Sequence, residues 1–143
     1  MSLYRIIISL TALIVSHAAL AVDYPTTPSP NGAQAYFITP NDGDTVDRTF
    51  TVRFGLKGMG IAPAGIDIPN TGHHHLLIDG TNLPILSKPM PLGDMVKHFG
   101  GGQTETELTL EPGQHTLQLI LGDKRHIPHN PPVISDQITI TVK

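Results

Sequence analysis

The 143-residue sequence has no cysteine and no tryptophan. Without thiols there are no disulfides, no thiolate metal ligands and no cysteine nucleophile, so packing alone must hold the fold together. Aromatics are scarce, with four Phe and three Tyr. Nine basic against twelve acidic side chains give a formal charge of −3. No basic run breaks that balance, which makes nucleic acid and anionic lipid poor partner candidates. G-x-S-x-G, a phosphate loop and H-E-x-x-H are all missing. The acidic residues are scattered, with no pair spaced for glycoside hydrolysis. Asp79 and Asp123 could serve as bases, but nothing singles them out, so enzyme activity is the less supported reading. No apolar run is long enough to span a bilayer as an ordinary helix.

The first residues carry an export signal. Arg5 supplies a positive start, residues 6–15 are apolar, and Ala19-Leu20-Ala21 is an A-x-A cleavage site. The expectation is a signal peptide over residues 1–21, cleaved, with the mature protein in the periplasm or secreted and no membrane span left. No cysteine follows the small residues, so a lipid anchor on cysteine is excluded. Losing Arg5 leaves eight basic against twelve acidic side chains, a mature charge of −4. Residues 22–35 are rich in Pro, Ser, Thr, Asn and Gly and read as a flexible lead-in. Residues 36–143 are then expected to form a single domain.

Fourteen Gly and thirteen Pro argue against long helices. The remaining pattern has a period of two. Tyr36-Phe37-Ile38 is a short strand stopped by Pro40 and the turn Asn41-Asp42-Gly43-Asp44. Phe50, Val52, Phe54 and Leu56 share one face of the next strand. Further strands are expected at residues 73–79, 104–110, 115–121 and 137–142, the last three presenting Leu108 and Leu110, then Leu117, Leu119 and Leu121, then Ile138, Ile140 and Val142. Long irregular loops fill residues 58–72 and 82–102. Short alternating strands with turn chemistry between them indicate an all-β, immunoglobulin-like antiparallel β-sandwich with long Gly/Pro-rich loops. An up-and-down barrel is the weaker alternative.

Histidine is the anomaly, with eight in all and seven beyond residue 21. His73-His74-His75 lies on a strand, so His73 and His75 share a face and His74 opposes them. Leu76 and Ile78 share the parity of His74, which assigns His74 to the core. His73 and His75 then face outward beneath the long loops, and two imidazoles one residue apart on a strand can hold one metal ion. His126 and His129 follow in the loop after the strand ending at Leu121. Met90, Met95 and His98 lie in the long second loop and Met59 in the first, a Met/His set suited to copper, although gap-filling is the better reading of the methionines. His115 shares the parity of Leu117 and Leu119 and is expected to be a packed core residue. The bland reading of the outward histidines is that they buttress loop backbone.

The stretches Gly58-Met59-Gly60-Ile61-Ala62-Pro63-Ala64-Gly65, Thr71 to Asp79, Lys97 to Glu105 and Leu121 to His129 resemble a family of bacterial exported proteins known only as a domain of unknown function. Members of that family are sometimes mislabelled as ATPases or rod-shape-determining proteins. The resemblance covers roughly Tyr36 to Lys143 and implies a periplasmic domain with no assigned reaction. Neither mislabel fits these residues, because a phosphate loop and multiple membrane spans are both missing. At the level of fold alone, the chain is also similar to periplasmic copper-binding sandwiches that use His and Met ligands, though their sequence motifs do not map onto it.

These features together predict a periplasmic metal-binding protein, with copper first and zinc second. The expected ligands are His73, His75 and His126, with His129 and His98 as further candidates. The alternative is a non-catalytic interaction or ligand-binding module, with an envelope protein as partner, in which the histidines are structural.

Overall fold

The computed structural model describes residues 24–143, so the expected signal peptide over residues 1–21 lies outside the described residues. Nine strands follow in order: β1 Gln34–Thr39, β2 Thr45–Val46, β3 Thr49–Lys57, β4 Gly60–Ile61, β5 Thr71–Ile78, β6 Val96–His98, β7 Glu105–Thr109, β8 Gly113–Gly122 and β9 Ile138–Val142. There is no helix among the described residues, and so none long and apolar enough to cross a membrane.

The strands form two sheets. One has the order β1-β3-β7, and the other runs β2-β9-β8-β5-β4, with β6 also paired to β5. The order β1-β3-β7 facing β9-β8-β5 is the ABE-against-GFC arrangement of an immunoglobulin-like sandwich. The long pairings are antiparallel, as the alternating pattern implies. Two short ones, β2 with β9 and β4 with β5, are parallel and were not foreseen. Both are two residues long, too short to leave a periodic signature.

The core between the sheets is built from the expected faces. Val52 and Phe54 of β3, Leu76 and Ile78 of β5, Leu117 and Leu119 of β8 and Ile140 of β9 are all buried there. A smaller apolar cluster of Leu77, Met90 and Ile120 lies on the outer face of the β5–β8 pair, covered by the loop before β6. β5 is therefore buried on both faces, from Gly72 to Ile78. It is also hydrogen-bonded along both edges, by β8 on one side and by β4 and β6 on the other.

Some local expectations differ from what forms. β1 begins at Gln34, two residues before Tyr36, and the loops over residues 58–72 and 82–102 each contribute a short strand, β4 and β6. These strands borrow their order from the edge of β5 rather than from their own Gly/Pro-rich sequence. The segment read as a flexible lead-in is tied to the loop after β8. Ser29 N donates to Asn130 O and Asn130 N donates to Thr27 O, with Pro28 bridged to Asn130.

Candidate metal centre

His73 and His75 stand on the outer face of β5 and are fully buried. Their backbones are locked into ladders, His73 opposite Gly122 and His75 opposite Ile120 on β8. On its other edge His75 is paired directly with His98 of β6. The cross-strand register thus places a third imidazole beside the first two. The fourth comes from the loop after β8. Its residue His126 takes up a left-handed backbone conformation with φ 65°, and its Nδ1 lies 3.0 Å from Nε2 of His73. One ring nitrogen from each of His73, His75, His98 and His126 falls within 4.8 Å of every other.

Glycines make room for these rings. A Cβ at Gly122 would sit 2.7 Å from Cε1 of His75 and 2.9 Å from Cε of Met90. A Cβ at Gly100 would sit 2.2 Å from Cε1 of His98. Any larger residue at either place would displace an imidazole.

Asp123 organises the His126 loop. It is 2% exposed, and its Oδ1 accepts from the backbone N–H groups of Arg125 at 2.8 Å and Ile127 at 3.0 Å. Its Oδ2 accepts from Thr27 Oγ1 at 2.7 Å and from the Arg125 guanidinium at 3.3 Å. Burial works to raise the Asp123 pKa, but hydrogen bonds from Thr27, from the backbone of Arg125 and Ile127 and from the Arg125 side chain outweigh it. The carboxyl is held below its usual range, so Asp123 is a buried anion. His126 N donates to Asp123 O, and His126 O accepts from Met90 N, which fixes the residue at both ends.

The electrostatics disfavour charge on His73, His75 and His98. Burial, reinforced by the charges His126 and His98 would carry, pushes the His73 pKa down to about 4. Burial and the neighbouring His73 push His75 down to about 3. His98, at the exposed rim, is lowered by burial and by His126. A neutral imidazole has one lone pair to give, the form a metal ion requires. Nδ1 of His73 and both ring nitrogens of His75 are buried with no hydrogen-bond partner, an arrangement that costs about 1–3 kcal/mol per polar group left unsatisfied. An ion would take one of the two His75 nitrogens and relieve that part of the cost. A tetrahedral ion with metal–nitrogen distances of about 2.0–2.1 Å holds its nitrogens about 3.4 Å apart, so the group must draw together to bind. The exposed His98 is the member with room to move inward.

The remaining candidates lie elsewhere. His129 is buried, but it bonds Thr71 O through Nε2 at 3.2 Å and is not one of the four. His74 points into the sandwich, its ring 4.8 Å from that of Phe54, and burial lowers its pKa to about 4. Met90 is buried against Leu77 and Ile120 as a filler, whereas Met95 is half exposed. His115 is not a core residue. It is half-buried at the far end of β8, with Nδ1 2.8 Å from Asp79 Oδ2 and Nε2 2.8 Å from Glu111 O. Parity puts it on the core face opposite the buried Ile140, but its ring is drawn to the Asp79 carboxylate and the Glu111 carbonyl. Asp123's anchoring role has no sequence signature, because its partners Thr27 and Ile127 lie 96 positions before it and four after it.

Comparison with known proteins adds a family. The profile of a domain of unknown function, DUF4399, matches residues 52–143. No curated protein matches the chain. Among solved structures, an endo-β-1,4-mannanase from Thermotoga petrophila is similar at 21% identity and a TM-score of 0.45, over 78% of this chain and 20% of that one. Fibronectin(III)-like modules of CbhA from Clostridium thermocellum are similar at 11% identity and a TM-score of 0.35, over 76% of this chain and 93% of that one. This chain spans about one fifth of the mannanase's length.

Proposed function

The chain belongs to the DUF4399 family, a domain of unknown function, and from its histidine cluster we propose that it binds a single divalent metal ion in the periplasm, copper first and zinc second. His73, His75, His98 and His126 are the ligands. The observation that carries this reading is the convergence of four ring nitrogens within 4.8 Å, with both ring nitrogens of His75 buried without a partner. An apolar filling would remove that desolvation cost, so four imidazoles in one place call for a use.

Imidazole suits Zn, Cu, Ni and Fe, and affinity for divalent first-row ions rises to a maximum at Cu²⁺. Cu²⁺ therefore leads and Zn²⁺ follows. Four nitrogens fill a tetrahedral shell, whereas a catalytic zinc keeps a position open for water. The arrangement favours holding or carrying an ion over hydrolysing a substrate. The periplasmic location rests on the cleavable signal read in residues 1–21.

A second reading, a recognition module, draws support from the exposed apolar side chains Ile66, Ile68, Leu83 and Ile85 in the loops flanking β5. Calorimetric titration of tag-free protein with Cu²⁺ and Zn²⁺ separates the two. The metal reading expects one-to-one binding that His75→Ala abolishes. No binding tighter than about 10 μM would leave the histidines structural.

A further inference from the structure

Four imidazoles meet only if the His126 loop closes over β5, and this closure depends on residues remote from it in sequence. His126 is the one ligand carried by neither a strand nor a neighbouring ladder. Its left-handed φ of 65° is disfavoured for a side chain of this size and needs surrounding structure to hold it. The carboxylate of Asp123 provides that structure, accepting the Arg125 and Ile127 N–H groups on either side of His126.

Asp123 is in turn clasped from the other end of the chain. Thr27 Oγ1 donates to it at 2.7 Å. Arg125, which also donates to Asp123, reaches Pro25 O at 2.5 Å. Ser29 Oγ donates to Pro131 O at 2.6 Å. These contacts join the segment before β1, which carries no ligand, to the loop that carries one.

From these contacts we infer that Asp123 is a positioning residue of the metal centre, acting through His126, and that the segment from Pro25 to Ser29 is the clasp that holds it in place. This inference rests on the metal-binding reading and adds a dependence of the site on the chain's N-terminal segment. Outer partners that orient a ligand are typically worth 10- to 100-fold in metal affinity. An anion beside the ligand loop also offsets the positive charge an all-imidazole site takes up.

The test is Cu²⁺ titration of the wild type, Asp123→Asn, His126→Ala and the double variant, each checked for folding by circular dichroism. Asp123→Asn should bind at least about tenfold more weakly than wild type. In the His126→Ala background it should change nothing further, because its effect passes through that ligand. Equal losses in both backgrounds, or wild-type affinity in Asp123→Asn, would overturn the inference while leaving the metal reading intact. Absence of binding by the wild type would remove the metal reading first. Should Asp123→Asn fail to fold, Thr27→Val carries the test, since it deletes a single hydrogen bond to the carboxylate. That variant should bind about fivefold more weakly, and wild-type affinity there would overturn the role given to the clasp.

Discussion

Nε2 of His73 stands 3.0 Å from Nδ1 of His126, across 53 positions of sequence. One of these nitrogens carries a proton and the other receives it, so the pair as it stands is a hydrogen bond rather than a ligand pair. Metal binding exchanges this bond for two metal–nitrogen bonds, the proton moving to the other nitrogen of its ring. Loss of either side chain should therefore weaken metal binding by on the order of 100-fold or more. His129→Ala should cost little, because His129 bonds Thr71 O instead. Calorimetry of the three variants against wild type checks the ranking.

Affinity should survive mild acid. A free histidine with a pKa near 6.5 would lose a metal ion from about pH 6 downward. His73 and His75, held at about 4 and 3, stay neutral through pH 5. The apparent affinity of the centre should thus fall more gently between pH 6.5 and 5 than for an exposed-histidine site. A pH series of Cu²⁺ titrations measures this, and the full proton-competition slope already present at pH 6 would contradict it.

Stability of the metal-free protein should run the other way from acid tolerance. His74 is buried beside Phe54 with a folded pKa of about 4, below the 6.5 of the unfolded chain. Between those values the unfolded state binds more protons, so stability is complete above about pH 6.5 and falls as pH drops toward 4. The slope is at most about 1.4 kcal/mol per pH unit for one such group. His115 opposes this trend. Burial works to lower its pKa, but the bonds to Asp79 and Glu111 O win and raise it, so its stabilisation is present in acid and fades as pH climbs through the raised value. Urea unfolding of wild type and His74→Leu at pH 7 and pH 5 should show a smaller acid loss in the variant.

Two glycines should give contrasting results. Gly122→Ala places a methyl 2.7 Å from the buried His75 ring and 2.9 Å from Met90. It should cost about 1–3 kcal/mol of stability, as overpacking does, and weaken metal binding too. Gly100→Ala crowds the His98 ring instead, which is exposed and can swing away. It should leave the melting temperature almost unchanged and lower affinity about tenfold. Thermal melts beside Cu²⁺ titrations distinguish the pair.

The long strands were legible because one face of each is apolar. Val52 and Phe54, Leu117 and Leu119, Ile138 and Ile140 all alternate and all enter the core. The same rule separates His74 from His73 and His75. It fails where order is lent by neighbours. β4 and β6 exist because the edge of β5 offers them hydrogen bonds, and His98 joins the cluster through its register with His75, which nothing in a Gly-rich stretch announces. Nearness in sequence groups His129 with His126, but Nε2 of His129 turns back to the start of β5 at Thr71.

The double-sided burial of β5 has a consequence for which ion the centre prefers. Two of the four proposed ligands are set in a strand hydrogen-bonded on both edges and covered on both faces. The other two ride on a three-residue strand and a loop. The centre is half anvil and half glove. In the proposed centre the fixed pair would set one bite distance, and the rings carried by the strand end and the loop would adjust about it to the ion. Such a site discriminates less by size than a cage rigid on all sides, and leaves the choice among divalent ions to their intrinsic hunger for nitrogen.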